Sequence, residues 1–319
     1  MSILVTGGAG FIGSHLLDRL VSGGRSAVCL DSFNDYYAPD VKRRNVAGAL
    51  RSGLVTLAEG DICDIALCRR VFEEHGIRRV VHLAARAGVR PSIEEPLLYE
   101  RVNCQGTLNL LECARDAKVE MFVFGSSSSV YGVSSRVPFR EDDPVDCPIS
   151  PYAATKRAGE LYCKTYSHLY GIPMVCLRFF TVYGPRQRPD LAITKFTRLI
   201  AAGEPIQVFG DGTARRDYTH VSDIVDGIVA ALDSNLSFEI INLGNSSPVE
   251  LREMVALIEK ALGKTARIER LPDQPGDVPI TYADISKATR LLGYKPKMPI
   301  GEGIRTYVKW FSDTERRRH

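Results

Sequence analysis

The chain has 319 residues, of which 45% are hydrophobic and 25% charged, and its formal net charge is +3. This length and composition are typical of a globular protein with a sizeable core. The near-neutral charge balance gives no indication of a nucleic-acid partner. No apolar run approaches the roughly eighteen residues that cross a bilayer, so we expect no membrane association.

Neither the start of the chain nor its cysteines suggest secretion. A glycine-rich stretch directly follows the first apolar run, which is not the pattern of a signal peptide. The eight cysteines are scattered without a C-x-x-C pair, so no metal site is predicted. We therefore expect reduced thiols and a cytoplasmic protein.

The first 180 residues alternate short apolar runs with amphipathic segments. Strands are predicted at residues 3–6, 27–30, 54–57, 80–83, 121–124 and 173–177, and helices at 12–20, 67–75, 97–117 and 154–170. A strand and helix order that repeats in this way predicts an α/β fold with a doubly wound parallel sheet.

After residue 180, glycine and proline divide the chain into shorter elements. The elements predicted there are a strand at 239–243 that rejoins the sheet and helices at 251–262 and 285–292. Asp284 is a candidate N-cap of the last of these, and Gly293 lies just past its end. An apolar stripe at helical spacing from Ile300 to Phe311 predicts a final helix packed on the core.

These elements predict two lobes. Residues 1–180, with a return segment at about 217–243, would bind a dinucleotide. Residues 181–216 and 244–319 would form a smaller, discontinuous α/β lobe that binds the substrate.

A glycine-rich turn follows the first predicted strand and opens the first helix. Gly7 permits the tight turn, Gly10 lets the backbone approach a pyrophosphate, and Gly13 lets the helix pack on the strand. The helix N-terminal amides, which include those of Phe11 and Ile12, would face the phosphates. Glycine turns join strands to helices in many folds, so this spacing needs support from other residues.

Asp31 supplies that support. It ends the second predicted strand, eighteen residues after Gly13, where an acid accepts hydrogen bonds from the adenosine ribose. A carboxylate about 4 Å from the additional phosphate of NADP would cost roughly 4 kcal/mol at an effective dielectric near 20. Since no arginine directly follows Asp31, the predicted cofactor is NAD.

Tyr152 and Lys156 are four residues apart in a predicted helix, so their side chains share a face. A free tyrosine has a pKa near 10, and a base that works near neutrality needs that pKa lowered by about 3, or roughly 4 kcal/mol. The ammonium of Lys156 and the positive nicotinamide of oxidised NAD could supply this. Ser127, after the fifth strand, is placed to hydrogen-bond the same substrate oxygen.

Several motifs resemble those of a known family. They are residues 6–13, Asp61-Ile62, residues 82–85, Asn103 with Gly106-Thr107, and the Tyr152/Lys156 pair, with more specific matches at 31–37, 87–90, 178–190 and 282–287. Over nearly its whole length the chain resembles an extended short-chain dehydrogenase/reductase with a Rossmann fold, and within that family the UDP-glucuronate 4-epimerases. The resemblance implies catalytic Ser127, Tyr152 and Lys156, and further cofactor contacts from Ser32, Asn34, Asp61, Ile62, Leu83, Ala84, Ala85, Asn103 and Ser126.

The serine run after the fifth strand discriminates between reactions. Related 4,6-dehydratases carry Asp-Glu at the positions that match Ser128 and Ser129, and UDP-glucuronate decarboxylases carry Glu at the second. Serine hydroxyls cannot perform that acid/base work, but they can donate hydrogen bonds to a uronate. Thr181 stands where hexose 4-epimerases usually have Asn, and the resemblance places it at the sugar carboxylate.

The resemblance also implies where the rest of the substrate binds. The implied contacts are Val89, Arg90, Ser127, Ser128, Ser129, Tyr152, Thr181, Arg188, Lys195, Gln207, Val208, Phe209, Arg216 and Asp277. Arg216 matches the family's phosphate-binding arginine, whereas Phe209 could equally be a buried core residue. Gln274 departs from the pattern, because many relatives have arginine there.

The predicted activity is therefore UDP-glucuronate 4-epimerase, with a UDP-sugar as partner molecule. The alternatives are an epimerase of UDP-glucose or UDP-N-acetylglucosamine, a UDP-glucuronate decarboxylase, and a non-catalytic NAD-binding module. Relatives commonly dimerise through helices like 97–117 and 154–170, so a homodimer is expected.

Overall fold

The computed structural model describes residues 2–133, 136–272 and 278–316. The strands are β1 (Ser2–Thr6), β2 (Ala27–Asp31), β3 (Val55–Glu59), β4 (Ile77–His82), β5 (Met121–Ser127), β6 (Met174–Phe179), β7 (Thr181–Tyr183), β8 (Pro205–Phe209), β9 (Arg215–His220), β10 (Phe238–Leu243), β11 (Pro248–Glu250) and β12 (Arg267–Leu271). The α-helices are α1 (Phe11–Ser22), α2 (Pro39–Arg51), α3 (Ile65–His75), α4 (Val89–Glu94), α5 (Pro96–Tyr99), α6 (Gly106–Asp116), α7 (Pro151–Tyr170), α8 (Ala192–Ala202), α9 (Val221–Leu232), α10 (Leu251–Leu262), α11 (Ser286–Leu292) and α12 (Ile300–Arg316). Within these ranges, none of the helices combines the length and apolarity needed to span a bilayer.

A parallel sheet forms the centre of the molecule. In the described part of the chain it has seven strands in the order β10-β6-β5-β4-β1-β2-β3. The chain moves outward from β1 in one direction and then from β4 in the other, which is the doubly wound topology predicted from the sequence. The predicted return strand is confirmed, because β10 pairs in parallel with β6 at the edge.

Apolar side chains cover both faces of this sheet. Along β1, Val5 belongs to the core cluster beneath α1 and α9, whereas Leu4 belongs to the cluster on the opposite face. Because successive strand residues point to opposite faces, a strand buried on both sides is a continuous apolar run. Each fully buried aliphatic side chain contributes roughly 1.5–3 kcal/mol.

Residues after β6 build a further core of their own. It contains Tyr183, Phe196, Ile206, Met254 and Tyr307, and it brings together segments that are far apart in the chain. Small sheets of order β11-β9-β7 and β12-β8 flank it. The apolar stripe predicted on the last helix packs here, since Ile304 and Tyr307 are fully buried. The lobe boundaries given above stay a prediction.

Some sequence-based expectations were wrong in detail. The helix predicted at 97–117 consists of α5, a π-helical stretch at Glu100–Gln105, and α6. Asp284 is not the N-cap of α11, because that position belongs to Ile285, although the Asp284 carboxylate accepts a hydrogen bond from Ser286 N at 2.8 Å. Gly293 does end the helix, with a φ of 63°. Helices α2, α4 and α9 were not predicted.

Candidate active site

A cavity of about 490 Å³ opens at the carboxyl ends of the central strands. This is the edge at which doubly wound sheets bind their ligands. The sequence-predicted residues in its wall are Gly7, Gly10, Phe11, Ile12, Gly13, Asp31, Ser32, Asn34, Asp61, Ile62, Leu83, Ala84, Ala85, Val89, Ser126, Ser127, Ser128, Ser129, Tyr152, Lys156, Thr181 and Arg188. The fold therefore brings most of the predicted cofactor and sugar contacts to one surface.

The glycine turn between β1 and α1 fits a dinucleotide. Gly7 has a φ of +66°, and a Cβ there would lie 2.7 Å from Ala84 N. A Cβ on Gly13 would lie 2.2 Å from Gly7 O, so helix and turn can touch only without side chains. No side chain of the described residues caps α1 at Gly10, which leaves the first helical amides available to phosphate oxygens.

Asp31 is buried at the end of β2 and its carboxylate is fixed by backbone. Oδ2 accepts from Ala9 N at 3.0 Å, and Oδ1 accepts from Phe33 N at 2.9 Å. Ala9 belongs to the glycine turn, so the acid holds the turn in place as well as facing the cavity. A carboxylate that borders this wall suits a ribose with free hydroxyls, which is NAD.

Lys42 is a residue of this region that sequence reasoning missed. Its ammonium lies in the cavity wall and donates to both Asn34 O and Asn34 Oδ1 at 2.9 Å. Burial lowers the pKa of Lys42, and the nearby Asp31 charge opposes that change. Lys42 is eleven positions after Asp31. Its place in the cavity wall follows only from the way α2 packs, and no spacing in the sequence predicts it.

The three predicted catalytic side chains meet at the other end of the cavity. Tyr152 and Lys156 project from the first turns of α7, whose start is capped by Ser150 Oγ accepting from Ala153 N at 3.1 Å. Ser127 ends β5, where its Oγ accepts from Ser129 N at 3.1 Å. The lysine ammonium donates to Gly125 O at 2.7 Å.

Burial and neighbouring groups act in opposite directions on the pKa of Tyr152. Burial raises the pKa of Tyr152, and the influences that oppose this are a hydrogen bond from Ser127 and then the charge of Arg188. Burial likewise lowers the pKa of Lys156 to about 8. In the protein by itself, the Lys156 ammonium is directed at Gly125 O, and the cation that acts to lower the pKa of Tyr152 is Arg188. The predicted joint effect of Lys156 and the nicotinamide of oxidised NAD stays a prediction.

Arg188 is held rigidly beside the catalytic tyrosine. Its guanidinium donates to both carboxylate oxygens of Asp190, at 3.0 and 2.8 Å, and lies 5.3 Å from the Tyr36 ring centroid. Tyr36 in turn donates to Ala87 O at 2.6 Å. Tyr36 lines the cavity but was not predicted as a site residue. Its position in the specific 31–37 motif was a signal that could have found it.

Asn103 lies outside the cavity wall, behind it. Its Oδ1 accepts from Arg86 N at 2.8 Å, and its Nδ2 donates to Arg86 O and Thr155 Oγ1, each at 3.0 Å. The π-helical stretch places it there, between the chain after β4 and the catalytic helix. Its direct contribution in the structure is to join these two segments.

The residues predicted for the nucleotide end do not line the cavity. Lys195 is exposed, Val208 is a core residue, and Gln207 Nε2 donates to Glu269 Oε2 at 3.3 Å. Arg216 donates to its neighbour's carbonyl, Arg215 O, at 2.9 Å. Asp277 and Gln274 are outside the described residues.

Arg90 and Phe209 are close to each other, as a shared nucleotide site requires. The Arg90 guanidinium carbon lies 5.4 Å from the half-buried Phe209 ring. Val89, next to Arg90, lines the cavity. Neither member of the pair lines the cavity itself, and Phe209 is not fully buried in the smaller core.

Comparison with known proteins agrees with this geometry. A cavity that combines a glycine turn suited to a dinucleotide with a buried tyrosine beside a lysine is suited to hydride transfer. The family model described as the NAD dependent epimerase/dehydratase family matches residues 3–244. The chain belongs to this family.

Individual members of the family that are similar to this chain over nearly its whole length act on UDP-sugars. A UDP-glucuronate 4-epimerase of Thermodesulfobacterium geofontis is 43% identical over 96% of this chain and 95% of its own length. The crystal structure of the UDP-glucuronic acid 4-epimerase of Bacillus cereus, in complex with UDP-glucuronic acid and NAD, is 36% identical with a TM-score of 0.93, covering 98% of this chain and 100% of that one. The UDP-glucose 4-epimerase of Thermotoga maritima, with UDP-glucose, is 33% identical with a TM-score of 0.91, covering 99% and 100%. Membership of this family confirms the predicted fold, cofactor and enzyme class.

Proposed function

We propose that the protein is an NAD-dependent UDP-glucuronate 4-epimerase, which interconverts UDP-glucuronate and UDP-galacturonate. The observation that carries the choice of sugar is the row of hydroxyl groups beside Tyr152. Ser127, Ser128, Ser129, Thr181 and Arg188 all line the cavity that Tyr152 lines. Hydroxyl donors and an arginine favour a carboxylate, because hydrogen bonds to a charged acceptor are stronger than those to the hydroxyl groups of a neutral hexose.

The residues of the chain supply proton transfer and orientation. Tyr152, as phenolate, takes the proton of the C4 hydroxyl, and Ser127 hydrogen-bonds the same oxygen. NAD, held by the glycine turn and Asp31, would supply the acceptor for the C4 hydride and its return to the opposite face of the sugar. Ser127 and Arg188 favour the phenolate, because each acts on Tyr152 in the direction that lowers its pKa.

Thr181 and the serine run would also protect the intermediate. A 4-keto uronate is a β-keto acid and can lose carbon dioxide. Hydrogen bonds from Ser128, Ser129 and Thr181 would hold its carboxylate in an orientation that disfavours cleavage. We expect Thr181→Ala to lower epimerisation and raise the pentose by-product, and unchanged rates of both would contradict this role.

We further propose that residues 1–180, with 217–243, form the cofactor lobe of a cytoplasmic homodimer. Apolar side chains on the outer faces of α5 and α7 support a dimer, since Leu97 is 83% exposed and Leu169 is 60% exposed. Replacing both by glutamate should give a monomer in light scattering. An unchanged mass, at either the monomer or the dimer value, would contradict an interface at these helices.

The experiment that tests the function is NMR of the protein with UDP-glucuronate and no added NAD. Appearance of UDP-galacturonate supports the proposal, and Tyr152→Phe is the control that should abolish it. Turnover of UDP-glucose or UDP-N-acetylglucosamine instead would assign a neutral-sugar epimerase, and carbon dioxide release would assign a decarboxylase. If Tyr152→Phe preserved all cellular function, a non-catalytic NAD-binding module would be favoured.

A further inference from the structure

A buried carboxylate lies directly behind the catalytic residues. Glu160 follows Tyr152 and Lys156 at intervals of four residues in α7, so all three face the sheet on successive turns. Its side chain is 0% exposed. Burying a charge in this way is costly unless hydrogen-bond donors surround it.

Glu160 has four such donors. Oε1 accepts from Ser126 Oγ at 2.6 Å and from Arg178 Nε at 2.8 Å. Oε2 accepts from Arg178 Nη2 at 2.9 Å and from Arg157 Nη1 at 3.1 Å. The two-point contact with Arg178 fixes the plane of the carboxylate as well as its position.

Two of these partners lie at the ends of the strands that form the cavity wall. Ser126 in β5 is the register partner of Arg178 in β6, and Ser127 is the next residue. Arg178 is itself held by its contact with the Tyr131 ring, whose centroid lies 4.8 Å from the guanidinium carbon. Glu160 therefore joins α7 to β5 and β6 at the level of the reacting groups.

We propose that Glu160, oriented by Arg178, is a positioning residue of the epimerase that holds the Tyr152/Lys156 face of α7 in register with Ser127 at the end of β5. The effect of Glu160 on catalysis rests on the proposed function. Misplacing reacting groups by about 1 Å can cost about 100-fold in rate. The two-point contact between Glu160 and Arg178 fixes the orientation of α7 relative to β6 as well as the distance between them.

The same carboxylate affects the charge of Lys156. The titratable groups that act on that ammonium are Cys104 from the π-helical stretch, Cys163 and Glu160 from α7, and His82 from β4. Burial lowers the pKa of Lys156 to about 8, and the Glu160 charge acts against this. Removing the charge should lower the pKa of Lys156 further and move the alkaline loss of activity to lower pH.

The test compares two variants with a matched control. Glu160→Leu/Arg178→Met replaces the ion pair by apolar groups of similar size, a change that buried pairs often tolerate without loss of stability. Glu160→Gln keeps one oxygen that can accept from Ser126 and Arg178 Nε, removes the charge, and places an amide NH2 group against the donors Arg178 Nη2 and Arg157 Nη1. Arg157→Met is the control, because it removes a contact to Glu160 that is partly exposed and lies outside the strand ends.

Both Glu160 variants should keep bound NAD, with kcat lower by about 10- to 100-fold and KM changed by less than about threefold. In Glu160→Gln, the alkaline limb of the kcat profile should move to lower pH, because the Glu160 charge acts to raise the pKa of Lys156. Arg157→Met should leave both kcat and the limb unchanged. NMR titration of carbon-13-labelled lysine, with Lys156→Arg to assign the resonance, should show the same fall in the pKa of Lys156 without any turnover.

A folded double variant with kcat within threefold of wild type overturns the proposal. A lowered Tm with kcat and the alkaline limb both unchanged overturns it as well, since that is a merely structural role. If the double variant does not fold, the proposal is tested by the kcat of Glu160→Gln and by the pKa of Lys156 in the lysine titration. If wild type does not turn over UDP-glucuronate, the proposed function fails, while an unchanged pKa of Lys156 in Glu160→Gln is what overturns this inference.

Discussion

Lys156 should destabilise the fold that contains it. The residue is only 5% exposed. Burial lowers its pKa from 10.5 to about 8. This difference corresponds to about 3 kcal/mol against folding at pH 7, where both folded and unfolded chains carry the charge. We therefore expect Lys156→Met to be more stable than wild type although it loses activity.

The stability gained by Lys156→Met is reduced by the loss of a hydrogen bond, and it depends on pH. Methionine leaves Gly125 O without its 2.7 Å donor, which costs about 1 kcal/mol, so the net gain at pH 7 is about 2 kcal/mol. Above pH 8 the folded protein has released the proton of Lys156 while the unfolded chain still binds one, so wild-type stability rises with pH. The charge penalty should fall from about 3 kcal/mol at pH 7 to about 1 kcal/mol at pH 9.5.

The assay is urea unfolding of NAD-free protein at pH 7 and pH 9.5, because bound cofactor would itself stabilise wild type. Lys164→Met is the control, since Lys164 is exposed on the same helix and should change the free energy of unfolding by less than about 0.5 kcal/mol. A Lys156→Met protein no more stable than wild type at pH 7, with a difference independent of pH, would refute the reasoning.

Other substitutions test the remaining parts of the site. Tyr152→Phe should lower kcat by about 100- to 10,000-fold with UDP-sugar binding retained in calorimetry, and a smaller loss would mean that another group takes the proton. Gly13→Ala should lower the yield of folded protein and its Tm, because the new Cβ would lie 2.2 Å from Gly7 O, and a wild-type Tm would contradict that packing. Asp31→Asn should weaken NAD binding and raise the ratio of NADP to NAD affinity in fluorescence titrations, even though the amide can still accept from Ala9 N, and an unchanged ratio would exclude Asp31 as the selecting charge.

Local patterns in the sequence determined the fold class and the two ends of the cavity. The repeated strand and helix order predicted the doubly wound sheet, and β10 was recognisable as a short apolar run. The glycine turn and the Tyr152/Lys156 pair are spaced within a single turn or helix. Such features depend on backbone geometry over a few residues, so spacing in the sequence is enough to find them.

Only the tertiary structure decided which charges act on the catalytic groups. The charge of Arg188 acts on Tyr152, and Glu160 binds Ser126 and Arg178, between residues that are 18 to 36 positions apart in the chain. The π-helical stretch that carries Asn103 follows an apolar pattern that fits an ordinary helix. Burial and distance set these interactions, and both depend on how distant segments pack, which no local spacing records.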